Sequence, residues 1–167
     1  MPSFVTVNTY THSVTYVTDQ MLRSLRLIIY WIGLDLNKII EDWEVLERAI
    51  KTWLLSRDLE AVALEVFHPT SKELITRCDF NIDYGYGNGD GSMWVDTDAV
   101  RFAIIKFGSI PANCQYRLIT RTKAGRPDVP GMSSTTFLST TGFVRQSLGT
   151  TIGTHAIGAQ AEYWRKA

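Results

Sequence analysis

Residues 135–153 read TTFLSTTGFVRQSLGTTIG, and this stretch bears most directly on the fold. It carries one charged side chain, Arg145, while Ser, Thr and Gly fill most of its other positions. Its apolar residues are too few for a core helix and too many for a disordered tail. The preceding residues, GRPDVPGMSS (125–134), contain two prolines and two glycines, which end any strand before them. The passage therefore predicts short, glycine-punctuated β-structure near the C-terminus.

The two faces of this β-segment differ little in polarity, so it can pair with a sheet in more than one register. We expect glycines before and within this segment to act as the hinges about which it moves, namely Gly125, Gly131, Gly142 and Gly149. A long mobile β-segment beside a sheet edge is suited to capturing a peptide as an added strand. An irregular but static C-terminal hairpin fits the same residues equally well, and the sequence leaves both interpretations open.

Apolar residues at helical spacing predict three helices before this segment. The first is expected to start at Thr18 or Asp19 and to stop at Gly33. The second is expected over about 36–55 and the third over about 97–107. All three patterns are amphipathic, so each helix should bury one face in a globular core.

Runs rich in β-branched and aromatic residues predict strands at 61–67, 73–84 and 114–122. In the last of these, one face is the better candidate for the core, and it carries Tyr116, Leu118 and Thr120. The order of helices and strands predicts an α+β domain in which three helices pack on a small antiparallel sheet.

Composition indicates one ordinary globular domain: the chain has 167 residues, 45% of them hydrophobic and 20% charged. No apolar run reaches the roughly 18 residues that a membrane span needs. No secretory signal is visible, and two cysteines, Cys78 and Cys114, do not make a disulfide framework. We therefore expect a cytoplasmic protein that does not enter a membrane.

The sequence contains no recognisable catalytic or cofactor motif. The glycine-rich stretch 81–94 lacks the Lys-Ser/Thr pair of a phosphate-binding loop and the acidic ladder of an EF-hand. The three histidines are widely spaced, and no serine lies in a G-x-S-x-G elbow. We predict that the protein is not an enzyme and takes no cofactor or metal. The net charge of zero also argues against direct nucleic-acid binding.

Parts of the chain resemble bacterial HORMA-domain proteins that are encoded beside a cGAS-like nucleotidyltransferase in CBASS anti-phage operons. The resemblance covers roughly residues 10–165 and is most specific in the C-terminal block. The stretches that carry it are THSVTYVTDQ (11–20), AIKTWL (49–54), GRPDVPG (125–131), STTGFVRQSLGTTIG (139–153) and YWR (163–165). This chain has Met132 where the family usually has Trp, and Phe137 where the family often has Tyr.

The resemblance implies a HORMA-like fold in which a C-terminal "safety belt" follows the helices and sheet. It assigns residues 1–167 to a single domain, with a flexible N-terminal handle at 1–17, a core at 18–122 and the belt at 123–160. In the closed state of such a domain, the belt wraps a "closure" peptide that pairs with the sheet. Strand 114–122 is the expected edge, and the residues expected to contact the peptide are Tyr116, Leu118, Thr120, Phe137, Phe143 and Val144.

The function that the resemblance implies is that of a peptide-binding signalling switch. The closed form is expected to bind and activate a cGAS/DncV-like nucleotidyltransferase in antiviral defence. An AAA+ ATPase remodeller is expected to reopen it by pulling on the N-terminus. Two alternatives stay open: a constitutively closed HORMA-like adaptor, and a small hydrolase that uses a serine of the belt.

Overall fold

The computed structural model describes residues 9–87, 92–107, 110–111 and 113–167. Within these residues the chain forms three helices, a short 3-10 turn at Leu36–Lys38 and six strands. None of the described helices combines the length and the apolar character that crossing a membrane requires. The helices and strands are α1 (Thr9–Trp31), α2 (Trp43–Leu55), β1 (Leu59–Phe67), β2 (Leu74–Asp83), β3 (Trp94–Val95), α3 (Thr97–Phe107), β4 (Gln115–Thr122), β5 (Phe143–Gly153) and β6 (Gly158–Lys166).

The strands form a single antiparallel sheet in the order β3-β5-β6-β2-β1-β4. The C-terminal hairpin of β5 and β6 joins the sheet through β6, which pairs with β2. Strand β4 pairs with β1 and forms one edge of the sheet. The predicted α+β fold, with three helices and an antiparallel sheet, is confirmed, and the described sheet is larger than the sequence pattern indicated.

The core lies between the helices and one face of the sheet. Trp53 of α2 is almost completely buried there, together with Met21 and Leu25 of α1. On the sheet side, Leu64 of β1 and Leu118 of β4 lie directly opposite each other and belong to the same cluster. Burying a large apolar side chain stabilises the fold by about 1.5–3 kcal/mol, so these contacts hold the helices on this face.

Helix α1 begins earlier than the sequence pattern predicted. Thr18, a predicted cap, instead donates its hydroxyl to the carbonyl oxygen of Val14 at 2.7 Å, as a residue inside a helix does. Val14 and Val17 are buried in the core, and this burial outweighs the low helix propensity of the β-branched residues around them. Residues 9–17 of the predicted N-terminal handle thus belong to α1, residues 1–8 lie outside the described part, and the handle itself stays a prediction.

Helix α2 begins later than predicted, because two aspartates cap separate turns. Asp35 accepts a hydrogen bond from the Asn37 backbone at 2.9 Å and starts the 3-10 turn. Asp42 accepts one from the Glu44 backbone at 2.8 Å and starts α2. Residues 39–42 thus form a corner rather than a helical turn, and this corner lies beside β4.

Residues 123–142, here called the crossing segment, contain no regular helix or strand and connect β4 to β5. Since β4 is the last strand of the sheet and β5 the second, the crossing segment has to pass over one face of the sheet. Its contacts, described below, place its first half against α2 and residues 135–138 on the face of the sheet opposite the helices. The predicted end of the belt at residue 160 is not a structural boundary, because β6 runs from Gly158 to Lys166 without interruption.

Candidate functional site

An open groove of about 760 Å³ runs along the outer edge of β4. Strand β4 forms one wall, with lining residues between Gln115 and Thr122. The corner at 40–42, together with Val45 of α2, forms a second wall, and residues 126–138 of the crossing segment form a third. The free edge of β4 therefore lies in a groove whose other two walls come from distant parts of the chain.

The edge of β4 presents main-chain groups to this groove. The Leu118 N–H donates to Glu41 Oε1 at 3.1 Å, so it points away from β1. Along an antiparallel strand, residues alternate between facing the partner strand and facing away, and β1 and β4 pair without a register shift from Tyr116 to Thr120. The main-chain groups of Tyr116 and Thr120 therefore point away from β1 as well, and Thr120 lines the groove. Such an edge is a template for pairing with another strand.

A buried carboxylate holds the crossing segment to the sheet. Glu65 of β1 is fully buried, and its Oε1 accepts from Arg117 Nε at 2.7 Å. Its other oxygen accepts from the Leu138 backbone N–H at 2.8 Å. The Arg117 guanidinium also donates to Thr135 Oγ1 at 3.2 Å and to the Thr136 carbonyl at 2.7 Å. The Glu65–Arg117 ion pair thus binds the crossing segment mainly through the backbone of that segment.

The ring of Phe137 packs on a second buried ion pair, Arg77–Asp79. The guanidinium carbon of Arg77 lies 4.2 Å from the Phe137 ring centroid and 5.1 Å from that of Trp164. Asp79 holds Arg77 through two bonds of 2.7 and 2.8 Å, and it also accepts from Trp164 Nε1 at 3.2 Å. Cation–π contacts at desolvated sites are worth about 2 kcal/mol. We call Glu65, Arg77, Asp79 and Arg117 the latch.

The first half of the crossing segment docks on α2. Trp53 Nε1 donates to the Pro127 carbonyl at 2.7 Å, and Arg126 lies over the Trp53 ring at 4.4 Å. Gly131 has a φ of +93°, and a Cβ atom there would meet Val45 Cγ1 at 2.9 Å. The backbone therefore approaches α2 more closely than any residue with a side chain would allow.

Replacing Gly131 with alanine should lower the melting temperature more than the same change at Gly142. Both glycines have positive φ, +93° and +83°, so both variants bear the left-handed backbone cost of roughly 1–2 kcal/mol. Only Gly131→Ala also collides with α2, since a Cβ at Gly142 meets nothing within 4 Å. Thermal unfolding of the two variants measures the difference. Equal losses would mean that the docking on α2 adds nothing to stability.

Glu41 forms the polar end of the corner wall. One carboxylate oxygen accepts from Leu118, while Oε2 is buried and has no hydrogen-bond partner among the residues that the structure describes. Burial raises the pKa of Glu41, and the Leu118 N–H and the charge of Arg117 partly offset that rise. An unsatisfied buried oxygen of this kind is rare in stable proteins and is suited to receiving a donor.

Three of the predicted contact residues line the groove. Thr120 and Phe137 are half-buried and line it. Leu118 also lines it, but its side chain and that of Tyr116 are buried in the core, and the Tyr116 hydroxyl donates to the Asp35 carbonyl at 2.7 Å. Leu118 therefore offers the groove mainly its backbone, and Tyr116 lies beside the groove on the same strand edge.

The structure does not bring Phe143 and Val144 to this groove. Both lie at the start of β5, which is separated from β4 by β6, β2 and β1. Their strand partners are Lys166 and Arg165 of β6. The expectation that they contact a peptide at β4 was based on their place in the belt sequence, which does not reveal the strand pairing.

The other predicted hinges all have a left-handed backbone, with φ of +82° at Gly125, +83° at Gly142 and +75° at Gly149. Gly125 lies in the turn after β4, Gly142 in the turn before β5, and Gly149 at an irregularity of the β5–β6 pairing. These positions favour glycine, but a hinge also requires movement, and that role stays a prediction.

Sequence reasoning missed Glu65, Arg77 and Glu41. Glu65 was the one charged residue within the apolar run AVALEVF, a signal for a buried ion pair. Its partner Arg117 follows 52 residues later, so only the pairing of β1 with β4 joins them. Glu41 falls within the predicted second helix, which the structure does not contain at that position.

Comparisons with known proteins agree with this fold. A chain in the crystal structure of the mitotic checkpoint complex is similar with a TM-score of 0.72 at 12% identity, over 93% of this chain and 99% of that one. The structure of HTP-2 bound to HTP-3 motif-6 is similar with a TM-score of 0.56 at 16% identity, over 74% of this chain and 67% of that one. The structure of C. elegans HTP-2 bound to HTP-3 closure motif 1 has a TM-score of 0.53 at 15% identity, over 74% of this chain and 65% of that one. These likenesses show a shared fold alone.

No curated protein matches the chain. The model of the family described as Bacterial HORMA domain 2 matches residues 2–167, which is nearly the whole sequence. The chain therefore belongs to the bacterial HORMA domain 2 family.

Proposed function

We propose that this protein is a peptide-binding switch whose ligand pairs with β4 as an added strand. The observation that carries the proposal is the edge of Tyr116, Leu118 and Thr120, whose main-chain groups point away from β1, with Leu118 and Thr120 lining the groove. An added strand gains affinity from main-chain hydrogen bonds, and side-chain pockets give it specificity. Two structures of the same fold are those of HTP-2 bound to motifs of HTP-3, which supports a peptide as the ligand.

The arrangement of the C-terminal hairpin supports assigning the structure to the closed state. The hairpin pairs with β2, so it leaves the edge of β4 accessible, and the crossing segment passes over the place where a peptide would lie. To admit or release a peptide, the contacts between the latch and the crossing segment have to break, since Glu65 and Arg117 bind residues 135–138 directly. In the proposed open state the belt leaves these contacts.

The likeness to HORMA proteins of CBASS operons supports a specific set of partners. In this proposal the closed form, in the cytoplasm, binds and activates a cGAS/DncV-like nucleotidyltransferase during antiviral defence. An AAA+ remodeller engages the residues before α1 and pulls. Because Val14 and Val17 are buried in the core, drawing α1 outward removes apolar contacts that support the sheet, and the belt is freed.

A constitutively closed adaptor is the second candidate, and the latch is the observation that favours it. Two buried ion pairs within the sheet hold the crossing segment through hydrogen bonds and through the contact of Arg77 with Phe137, and hydrogen bonds to charged groups contribute about 1.5–3 kcal/mol each. A belt held so firmly would open rarely without an ATPase. The two candidates differ in whether the belt responds to a ligand.

Limited proteolysis with trypsin tests this difference. Peptides are first selected from a random 12-residue display library against the full chain. If the protein is a switch, a selected peptide should slow cleavage after the exposed Lys123 at least tenfold, because it suppresses opening of the belt. Cleavage at the same rate with and without bound peptide favours the adaptor. Failure to select any peptide would contradict peptide binding itself.

A further inference from the structure

Glu41 lies where the carbonyl group of an added strand would bind. The Leu118 N–H that points into the groove donates to Glu41 Oε1 at 3.1 Å. In an antiparallel pair, that N–H would donate to a carbonyl of the incoming strand. A bound peptide therefore has to displace the carboxylate from Leu118.

Displacement takes the Leu118 N–H donor away from Glu41. Its second oxygen is already buried and has no hydrogen-bond partner within the described part of the chain. A carboxylate that loses a donor while a bound peptide covers it is disfavoured, because the peptide takes away water and nothing replaces it. The ligand has to supply donors, or the charged group opposes binding.

The cations of the groove already have other partners. Arg117 is bound to Glu65, Thr135 and Thr136. Elsewhere along the groove, Lys72 contacts Gln115, Arg121 pairs with Glu60, and Arg126 stacks on Trp53 and pairs with Asp128. A cation for Glu41 therefore comes most readily from the ligand.

We infer that the bound peptide carries a lysine or arginine whose side chain contacts the Glu41 carboxylate, beside the peptide residue that pairs with Leu118. This inference rests on the proposed function. An ammonium or guanidinium group supplies several charged donors to the two carboxylate oxygens, and arginine matches them as a fork. Because side chains alternate along a strand, this basic residue faces the corner before α2 while its neighbours face the crossing segment. Glu41 thus determines ligand specificity and register.

The test uses the random 12-residue display library against four full-length proteins: wild type, Glu41→Gln, Glu41→Lys and Asp42→Asn. Wild-type selections should enrich Lys or Arg at one fixed position. Glu41→Gln, whose amide oxygen still accepts from Leu118, should lose that enrichment, and Glu41→Lys should replace it with Asp or Glu. Asp42→Asn is the matched control. The change removes an exposed charge one residue away, and asparagine still caps α2, so the enrichment should persist.

The affinities of individual selected peptides measure how much the contact with Glu41 contributes to binding. Replacing the enriched basic residue with methionine should weaken binding to wild type about tenfold or more, and binding to Glu41→Gln about twofold or less. Thermal unfolding confirms that each variant is folded. Peptides that bind without a fixed basic position, or with the same preference in Glu41→Gln and Glu41→Lys, would overturn this inference and leave the proposed function standing. Selections that yield no binding peptide would overturn both.

Discussion

Replacing Glu65 with leucine should free the crossing segment and destabilise the protein by about 3–5 kcal/mol, the usual effect of leaving one partner of a buried ion pair alone. Glu65 is fully buried and is the acceptor for Arg117 and for the Leu138 backbone. Leucine fills a similar volume but accepts no hydrogen bond. Denaturant unfolding should record the loss, and trypsin should cleave after Lys123 sooner than in wild type.

The matched control is Glu60→Gln, which lies on the same strand. Glu60 also pairs with an arginine of β4, Arg121, at 3.6 Å, but both side chains are about half exposed. Exposed pairs contribute roughly 0–1 kcal/mol, so this variant should behave nearly as wild type. If the Glu65 and Glu60 variants lose the same small stability, or if the belt of the Glu65 variant stays protected, the latch does not hold the crossing segment.

Proline at position 120 should weaken peptide binding at least tenfold while the fold persists. The Thr120 N–H points into the groove, so proline removes a donor to the ligand without removing a bond to β1. Its ring also blocks the approach of an added strand. Calorimetry with a selected peptide measures the loss. Thr120→Ala, which changes the side chain and keeps the backbone donor, should bind nearly as well as wild type.

Two further proline variants distinguish the N–H groups that face the groove from those that face β1. Leu118→Pro also removes a groove-facing donor, but it empties a buried leucine site at a cost of about 2–5 kcal/mol, so folding has to be checked first. Ile119→Pro removes a donor that points to β1 and should impair folding more than Thr120→Pro does. Wild-type affinity in folded Thr120→Pro and Leu118→Pro proteins would mean that β4 is not the docking edge.

Local sequence patterns predicted the regular elements well where burial and propensity agree. The third helix was expected over 97–107 and is observed as Thr97–Phe107. Strand β4 was expected at 114–122 and begins one residue later. The first two turns of α1 were missed because Thr9–Val17 contains β-branched and polar residues, and only contacts with distant parts of the chain stabilise a helix there.

The candidate site was predictable only in part, for a similar reason. The face of Tyr116, Leu118 and Thr120 could be read from alternation along one strand. The latch could not, because Glu65 meets Arg117 and Arg77 meets Phe137 only after the sheet forms and the crossing segment folds over it. Likewise, the place of β5 far from β4 depends on strand order, about which a hydroxyl-rich and glycine-rich sequence contains little information.

Amide hydrogen exchange along β4, with and without a selected peptide, tests the central claim most directly. If the ligand adds a strand to this edge, exchange at Tyr116 and Thr120 should slow about tenfold or more on binding. The Ile119 amide, which faces β1, should change little. Slowed exchange confined to another edge, such as β3, with Tyr116 and Thr120 unaffected by bound peptide, would contradict the account.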